Sequence, residues 1–232
     1  MTTATREPRT AGGAVDRLAA ILTARGINPA AQTTAPEPDP EPVTAVQLAD
    51  TRIPPRYQGA LAGHPRVAAW VEEITSRGRR GPGGAPGIAT GPSLLIAGPT
   101  GTGKTYQAYG AIRALLTAGV RLRWEATTAA DLYAAQRPQH GNDHEQQLQR
   151  LARSPLLLLD DLGAAKQSQW TEELTYRLVN HRYNHLLPTL VTTNLPVADL
   201  REAIGDRTAS RLAEMTDRVI LTGHDRRRHP TA

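Results

Sequence analysis

The sequence predicts an α/β fold: a mainly parallel sheet with helices on both faces. Strand-length apolar runs alternate with segments of helical period along most of the chain, the order that builds such layers. One run, LLLLD at 156–160, is apolar until its last residue, as a central strand buried on both faces should be. A third observation is local. The glycine-rich stretch GPTGTGKT, 98–105, lies between the run SLLIA and a helical segment.

The chain has 232 residues, enough for one domain of ordinary size with a tail. Residues 1–13 are polar and are expected to be disordered. In AVDRLAAILTARG, 14–26, Val15, Leu18 and Leu22 share a helical face and Gly26 marks the stop. Residues 27–48, with APEPDPEPV, read as a proline- and acid-rich linker. A flexible segment is therefore expected at 1–48, a folded domain at 49–224 and a basic tail at 225–232.

Within the domain, Pro65 opens a helix whose buried stripe is Val67, Trp70, Val71 and Ile74, closed by Gly78. Residues 78–92 read as a flexible loop. SLLIA, 93–97, is a strand, followed by a helix over 104–118 with Ala108, Ala111, Ile112 and Leu115 inward. VRLRWEA, 120–126, alternates apolar and polar residues, the pattern of an edge strand or one with a wet face. Helices are expected near 128–136 and 143–153, then the strand 156–160, a long helix over about 170–187 and the strand PTLVTT. Short helices near 197–204 and 207–215 precede the strand RVILT, 218–222.

Composition excludes some chemistry. The chain has no cysteine, so it has no disulfides and no cysteine-ligated metal. No apolar run approaches membrane-spanning length, and the N-terminus lacks a signal peptide, so a cytoplasmic protein without membrane partners is expected. The net charge of +5 favours polyanionic partners, although a merely soluble basic surface explains it almost as well.

GPTGTGKT fits G-x-x-x-x-G-K-[ST] in the strand–turn–helix setting that this motif requires. Gly98, Gly101 and Gly103 let the backbone curl so that its N–H groups face phosphate oxygens. Pro99, Thr100 and Thr102 complete the loop, and the helix start adds a positive dipole end. Lys104 would reach the β- and γ-phosphates of ATP, and the Thr105 hydroxyl would ligate Mg²⁺. In LLLLDDLG, a buried strand ends in two carboxylates, an arrangement that is costly unless a cation or water meets them. Asp160 would hold Mg²⁺ through its water shell, and Asp161 would orient the attacking water. Asn194 ends a third apolar strand. Two readings stand: an amide that bonds the attacking water or a γ-phosphate oxygen, or a cap for the next turn.

Taken together, GPTGTGKT, LLLLDDLG, EELTYRLVNHRYNHLLPTLVTTNLP and IGDRTASRLAEM resemble the DnaC/IstB group of AAA+ ATPases over about 50–225. The resemblance implies a three-layer P-loop core whose five-stranded parallel sheet has the order 5-1-4-3-2, making VRLRWEA an edge. It implies little or no C-terminal lid. It makes Asn194, with Thr193, the polar residue that senses the γ-phosphate, and Arg211 the arginine finger that enters a neighbouring subunit's ATP site, with Arg207 nearby. TRIPPRY, 51–57, is similar to the segment beside the adenine. Three functions follow as expectations. The first is loading of a replicative helicase onto single-stranded DNA by a homo-oligomer joined through its ATP sites. The second is an IstB-like transposase helper on duplex DNA. The third, a metabolic kinase, needs an acceptor pocket and lid that the sequence does not suggest. His181 and His185, four apart on a helix, are a metal pair or, more simply, packed or hydrogen-bonded histidines.

Overall fold

The computed structural model describes residues 20, 21, 23–25, 50–80, 86–88, 90–137, 144–165 and 168–223. The chain divides into two units, residues 1–42 and 43–232. In the first, residues 20, 21, 23 and 24 are helical, within the expected helix 14–26; the rest of that helix lies outside the described residues. So do the expected disordered stretch 1–13, the linker 27–48 and the basic tail 225–232.

The second unit opens with a 3-10 turn, Pro55–Tyr57, and α1, Pro65–Arg77. His64 caps α1 by accepting from the Arg66 amide, and Val67, Trp70, Val71 and Ile74 are buried as expected. The strands and helices then alternate: β1 (Ser93–Ala97), α2 (Lys104–Thr117), β2 (Trp124–Thr128), α3 (Ala129–Ala135), α4 (His144–Arg153) and β3 (Leu156–Asp160). They are followed by α5 (Gln169–Asn184), β4 (Thr189–Thr193), α6 (Val197–Ile204), α7 (Asp206–Met215) and β5 (Thr216–Ile220). The five strands are all parallel, in the order β2-β3-β4-β1-β5. Read from the other edge, this is the expected 5-1-4-3-2. Among the described residues no helix follows β5.

Side chains alternate across the sheet into two cores. Leu94, Ile96, Leu156, Leu158 and Leu190 face α1 and α2, while Leu95, Leu157, Leu159 and Val191 face α4, α5, α6 and α7. Two strands are displaced from their expected spans. β2 begins at Trp124 because that residue pairs with Leu156, where β3 itself begins. Val120, Leu122, Trp124 and Ala126 nevertheless share one core, so the alternation marked burial correctly and the ladder four residues too early. β5 begins at Thr216, opposite Ser93, and the bond from the Leu221 amide to the Ala97 carbonyl (2.8 Å) continues it. Helix α5 stops at Asn184, ahead of Leu186 with its left-handed φ of 52°. The expected loop 78–92 contains a two-residue antiparallel pair, Arg79–Arg80 with Pro86–Gly87.

The segment before α1 is interlocked with α2. Tyr106 Oη donates to the Gly59 carbonyl (2.9 Å), the His64 amide donates to Gln107 Oε1 (3.0 Å), and Arg113 pairs with Asp50 (2.9 Å). At Gly110 a Cβ would lie 2.3 Å from the carbonyl carbon of Leu61, so only glycine allows this approach.

Candidate active site

Neighbouring strands of an open parallel sheet deliver their carboxyl ends to one crevice. Here β1, β3 and β4 are neighbours, and their ends line a cavity of about 600 Å³. Its wall holds Thr100, Gly101, Gly103, Lys104 and Thr105 from the glycine-rich turn, with Asp160, Asp161, Thr192 and Asn194. Gly98, Pro99 and Thr102 are not in the wall; they shape the turn. Gly98 has a φ of 152°, and a Cβ there would lie 2.2 Å from the Leu221 carbonyl oxygen. Thr102 Oγ1 and Lys104 Nζ both donate to the Pro99 carbonyl, each at 2.8 Å. Lys104 starts α2, so its ammonium adds to the positive end of the helix dipole.

The Thr105 hydroxyl donates to both carboxylate oxygens of Asp160, at 3.0 and 3.2 Å, and Thr192 Oγ1 donates to Oδ1 of the same group. Asp161 follows in a left-handed conformation (φ 58°), which costs a non-glycine residue on the order of 1 kcal/mol. Its amide donates to Thr192 Oγ1 (2.9 Å), and Asn194 Nδ2 donates to its carboxylate. The ends of β3 and β4 are thus stitched side chain to side chain. The turn after β4 is closed by Thr193, whose Oγ1 accepts from the Leu195 amide (3.1 Å) and donates to the Leu162 carbonyl (2.7 Å). Asn194 is left facing Asp161 rather than capping that turn, and Thr193 is buried away from the cavity. The strand residue that shares the Asn194 face is Thr192, and the two-residue period of a strand could have found it.

Four further residues, Arg56, Tyr57, Tyr106 and Thr128, line the wall without an individual signal in the sequence. Arg56 and Tyr57 come from TRIPPRY, so that segment does border the cavity. Thr128 pairs with Asp160 across the β2–β3 ladder. Tyr57 stacks on Tyr109 with ring centroids 5.1 Å apart. Burial above all, then the Asp160 carboxylate and Tyr57, push the Tyr109 hydroxyl up to about 12, so it stays protonated.

The residues fit a magnesium nucleotide. The cavity is of ligand size, loop amides and a lysine suit phosphates, and a hydroxyl beside a carboxylate is a hard oxygen set suited to Mg²⁺. Among the described residues no group of three or more His, Cys, Asp or Glu could enclose a metal, so phosphate oxygens and water would complete the shell. His181 and His185 therefore lack a third ligand of these types; their rings stack at 4.1 Å and His185 Nδ1 lies 2.7 Å from the His181 carbonyl oxygen. Arg211 is not in the cavity wall. It lies on α7 beside Arg207, over the ring of Tyr176 on α5.

The profile of the family described as "IstB-like ATP binding protein" matches residues 88–226. The chain belongs to that family. The replicative helicase loader DnaC of Escherichia coli K12 is 27% identical over 123 residues, 52% of this chain and 49% of that protein. A protein described as ATP-binding in insertion sequence IS21 of Pseudomonas aeruginosa is 29% identical over 114 residues, 49% of this chain and 42% of that protein. This family member thus spans about half the length, or less, of the curated relatives it matches. The crystal structure of the DnaC helicase loader superposes with a TM-score of 0.60 at 26% identity, covering 72% of this chain and 99% of the other. DnaI superposes at 0.59 with 19% identity, covering 75% and 94%, a likeness of fold. The fold is that of the AAA+ ATP-binding domains. Among the described residues no helix is long and apolar enough to cross a membrane.

Proposed function

We propose that this protein hydrolyses ATP with Mg²⁺ and helps load a replicative helicase onto single-stranded DNA. The observation that carries the reading is the convergence of Lys104, Thr105, Asp160, Asp161 and Asn194 on one cavity. Backbone amides of the turn and the start of α2 would bind the phosphates, with Lys104 swinging from the Pro99 carbonyl to the β- and γ-phosphates. Mg²⁺, held by Thr105 and through water by Asp160, would neutralise charge on the phosphates. Asp161 would align the attacking water against the γ-phosphate, and Asn194 would hold the Asp161 carboxylate in place. Arg211 of one copy would stabilise the charge developing in the ATP site of the next, making hydrolysis depend on the homo-oligomer. The DnaC relative supports helicase loading.

The second reading, a transposase helper acting on duplex DNA, is favoured by the IS21 relative and by the family description. Turnover of ATP by the full chain, with and without single-stranded DNA, tests the enzyme reading against Lys104→Ala. Equal turnover in the two proteins removes it. Co-purification then separates the partners. The full chain should retain a replicative helicase and lose it when residues 1–48 are removed; retention of a transposase instead selects the second reading.

A further inference from the structure

Two polar atoms buried without a hydrogen-bond partner stand one turn apart on α7: Thr208 Oγ1 and Arg211 Nε. A buried donor without a partner is costly, so something else must hold the Arg211 guanidinium. Two tyrosine rings do so. Its Cζ lies 4.9 Å from the Tyr176 centroid and 5.5 Å from that of Tyr183, seven residues further along α5. Arg207 takes a closer place on the same Tyr176 ring, with Cζ at 3.9 Å, and its Nη2 donates to the Tyr176 hydroxyl at 2.6 Å. Glu214, also on α7, sits near the Tyr183 hydroxyl and pushes that group's pKa upward, so the second ring faces the helix that carries both arginines.

The chemistry of this arrangement is specific. Arg207 and Arg211 are four apart on α7, where like charges repel. A carboxylate would relieve the repulsion but would also neutralise the pair, and it would have to be displaced by any incoming anion. No carboxylate lies within ion-pair distance of either guanidinium among the described residues. An aromatic face attracts a guanidinium through its quadrupole without neutralising its charge. The rings hold the cations in place and leave their charge intact.

We infer that Tyr176 is a positioning residue, a rack that aims the Arg207–Arg211 pair at the transferring phosphate bound by a second copy of this chain. The inference rests on the proposed ATPase reading and on the role of Arg211 within it. Tyr176 touches no nucleotide; it acts through the two arginines.

The test is steady-state ATP turnover by the full chain. Arg211→Ala comes first: a wild-type kcat there ends the underlying reading, and this inference with it. If Arg211→Ala loses turnover, Tyr176→Leu should lower kcat about tenfold, the size of one cation–π contact, with KM for ATP unchanged. Tyr176→Phe keeps the ring and should recover most of that loss. Mixing provides the control for folding. Lys104→Ala subunits lack a working ATP site but carry an intact rack, so adding them to Tyr176→Leu subunits should restore turnover. A Tyr176→Leu kcat within about twofold of wild type, or a mixture that recovers nothing, overturns the assignment of Tyr176 while the role of Arg211 stands.

Discussion

Among the described residues two cations are buried, at opposite ends of the sheet, and they teach different lessons. Lys104 is 6% exposed and lies where the strands end; Arg182 is 0% exposed and lies where they begin. Arg182 donates to the carbonyls of Leu151, Ala152 and Ser154 at the end of α4, to the Pro188 carbonyl and to Thr189 Oγ1 at the start of β4, at 2.6–3.2 Å. It satisfies the unpaired carbonyls of a helix end and complements its dipole. Burial pushes its guanidinium down to about 9, so it remains charged at neutral pH. Lys104 faces a cavity beside two aspartates and belongs to a turn of left-handed glycines. A buried charge is therefore not in itself a mark of chemistry. What separates the pair is whether the surroundings form a closed set of acceptors or a hollow.

Substitutions at the two ends should break apart in kind. Lys104→Ala is expected to lower ATP turnover about 100-fold or more while changing stability by less than about 1 kcal/mol, read by steady-state kinetics and urea unfolding on the same preparation. Arg182→Met should do the reverse. Orphaning several buried carbonyls is expected to cost about 3 kcal/mol, seen as a lower urea midpoint, with KM for ATP unchanged in the fraction that remains folded. A more modest effect belongs to Asn194→Ala, where loss of one bond to Asp161 should lower kcat about tenfold and leave nucleotide affinity intact, measured by titration with a non-hydrolysable analogue.

The smallest effect lies on the outer face of α5. Burial first, then His185, Arg153 and Arg182, lowers the pKa of His181. The unfolded chain then takes up this proton before the folded one does. Stability should be unaffected above the ordinary histidine range and should decline slightly as pH falls through about 6.5. His181→Gln should flatten that dependence in urea titrations at pH 7.5 and 5.5.

The contrast also explains what was legible in the sequence. The Lys104 end is made of local signals: glycines where the backbone needs them, an apolar strand that stops at Asp160, and a strand whose polar end is Asn194. Each could be read in a short window, and strand order follows from the resemblance those windows carry. The Arg182 end could not be read so. Nothing near HRYNH announces that its arginine, Arg182, meets carbonyls some thirty residues earlier; only tertiary packing brings them there. The displaced starts of β2 and β5 have the same origin, since a ladder begins where its partner strand begins. Thr192 is legible in the same way, as a polar strand end one strand period from Asn194.

The interlock at Gly110 has a mechanical meaning. Main chain presses on main chain there, and Asp50, Gly59 and His64 are tied to Arg113, Tyr106 and Gln107 along the same helix. A tug on the chain at Asp50 is not absorbed by a slack joint; it is delivered lengthwise to the rod whose tip is Lys104 and Thr105.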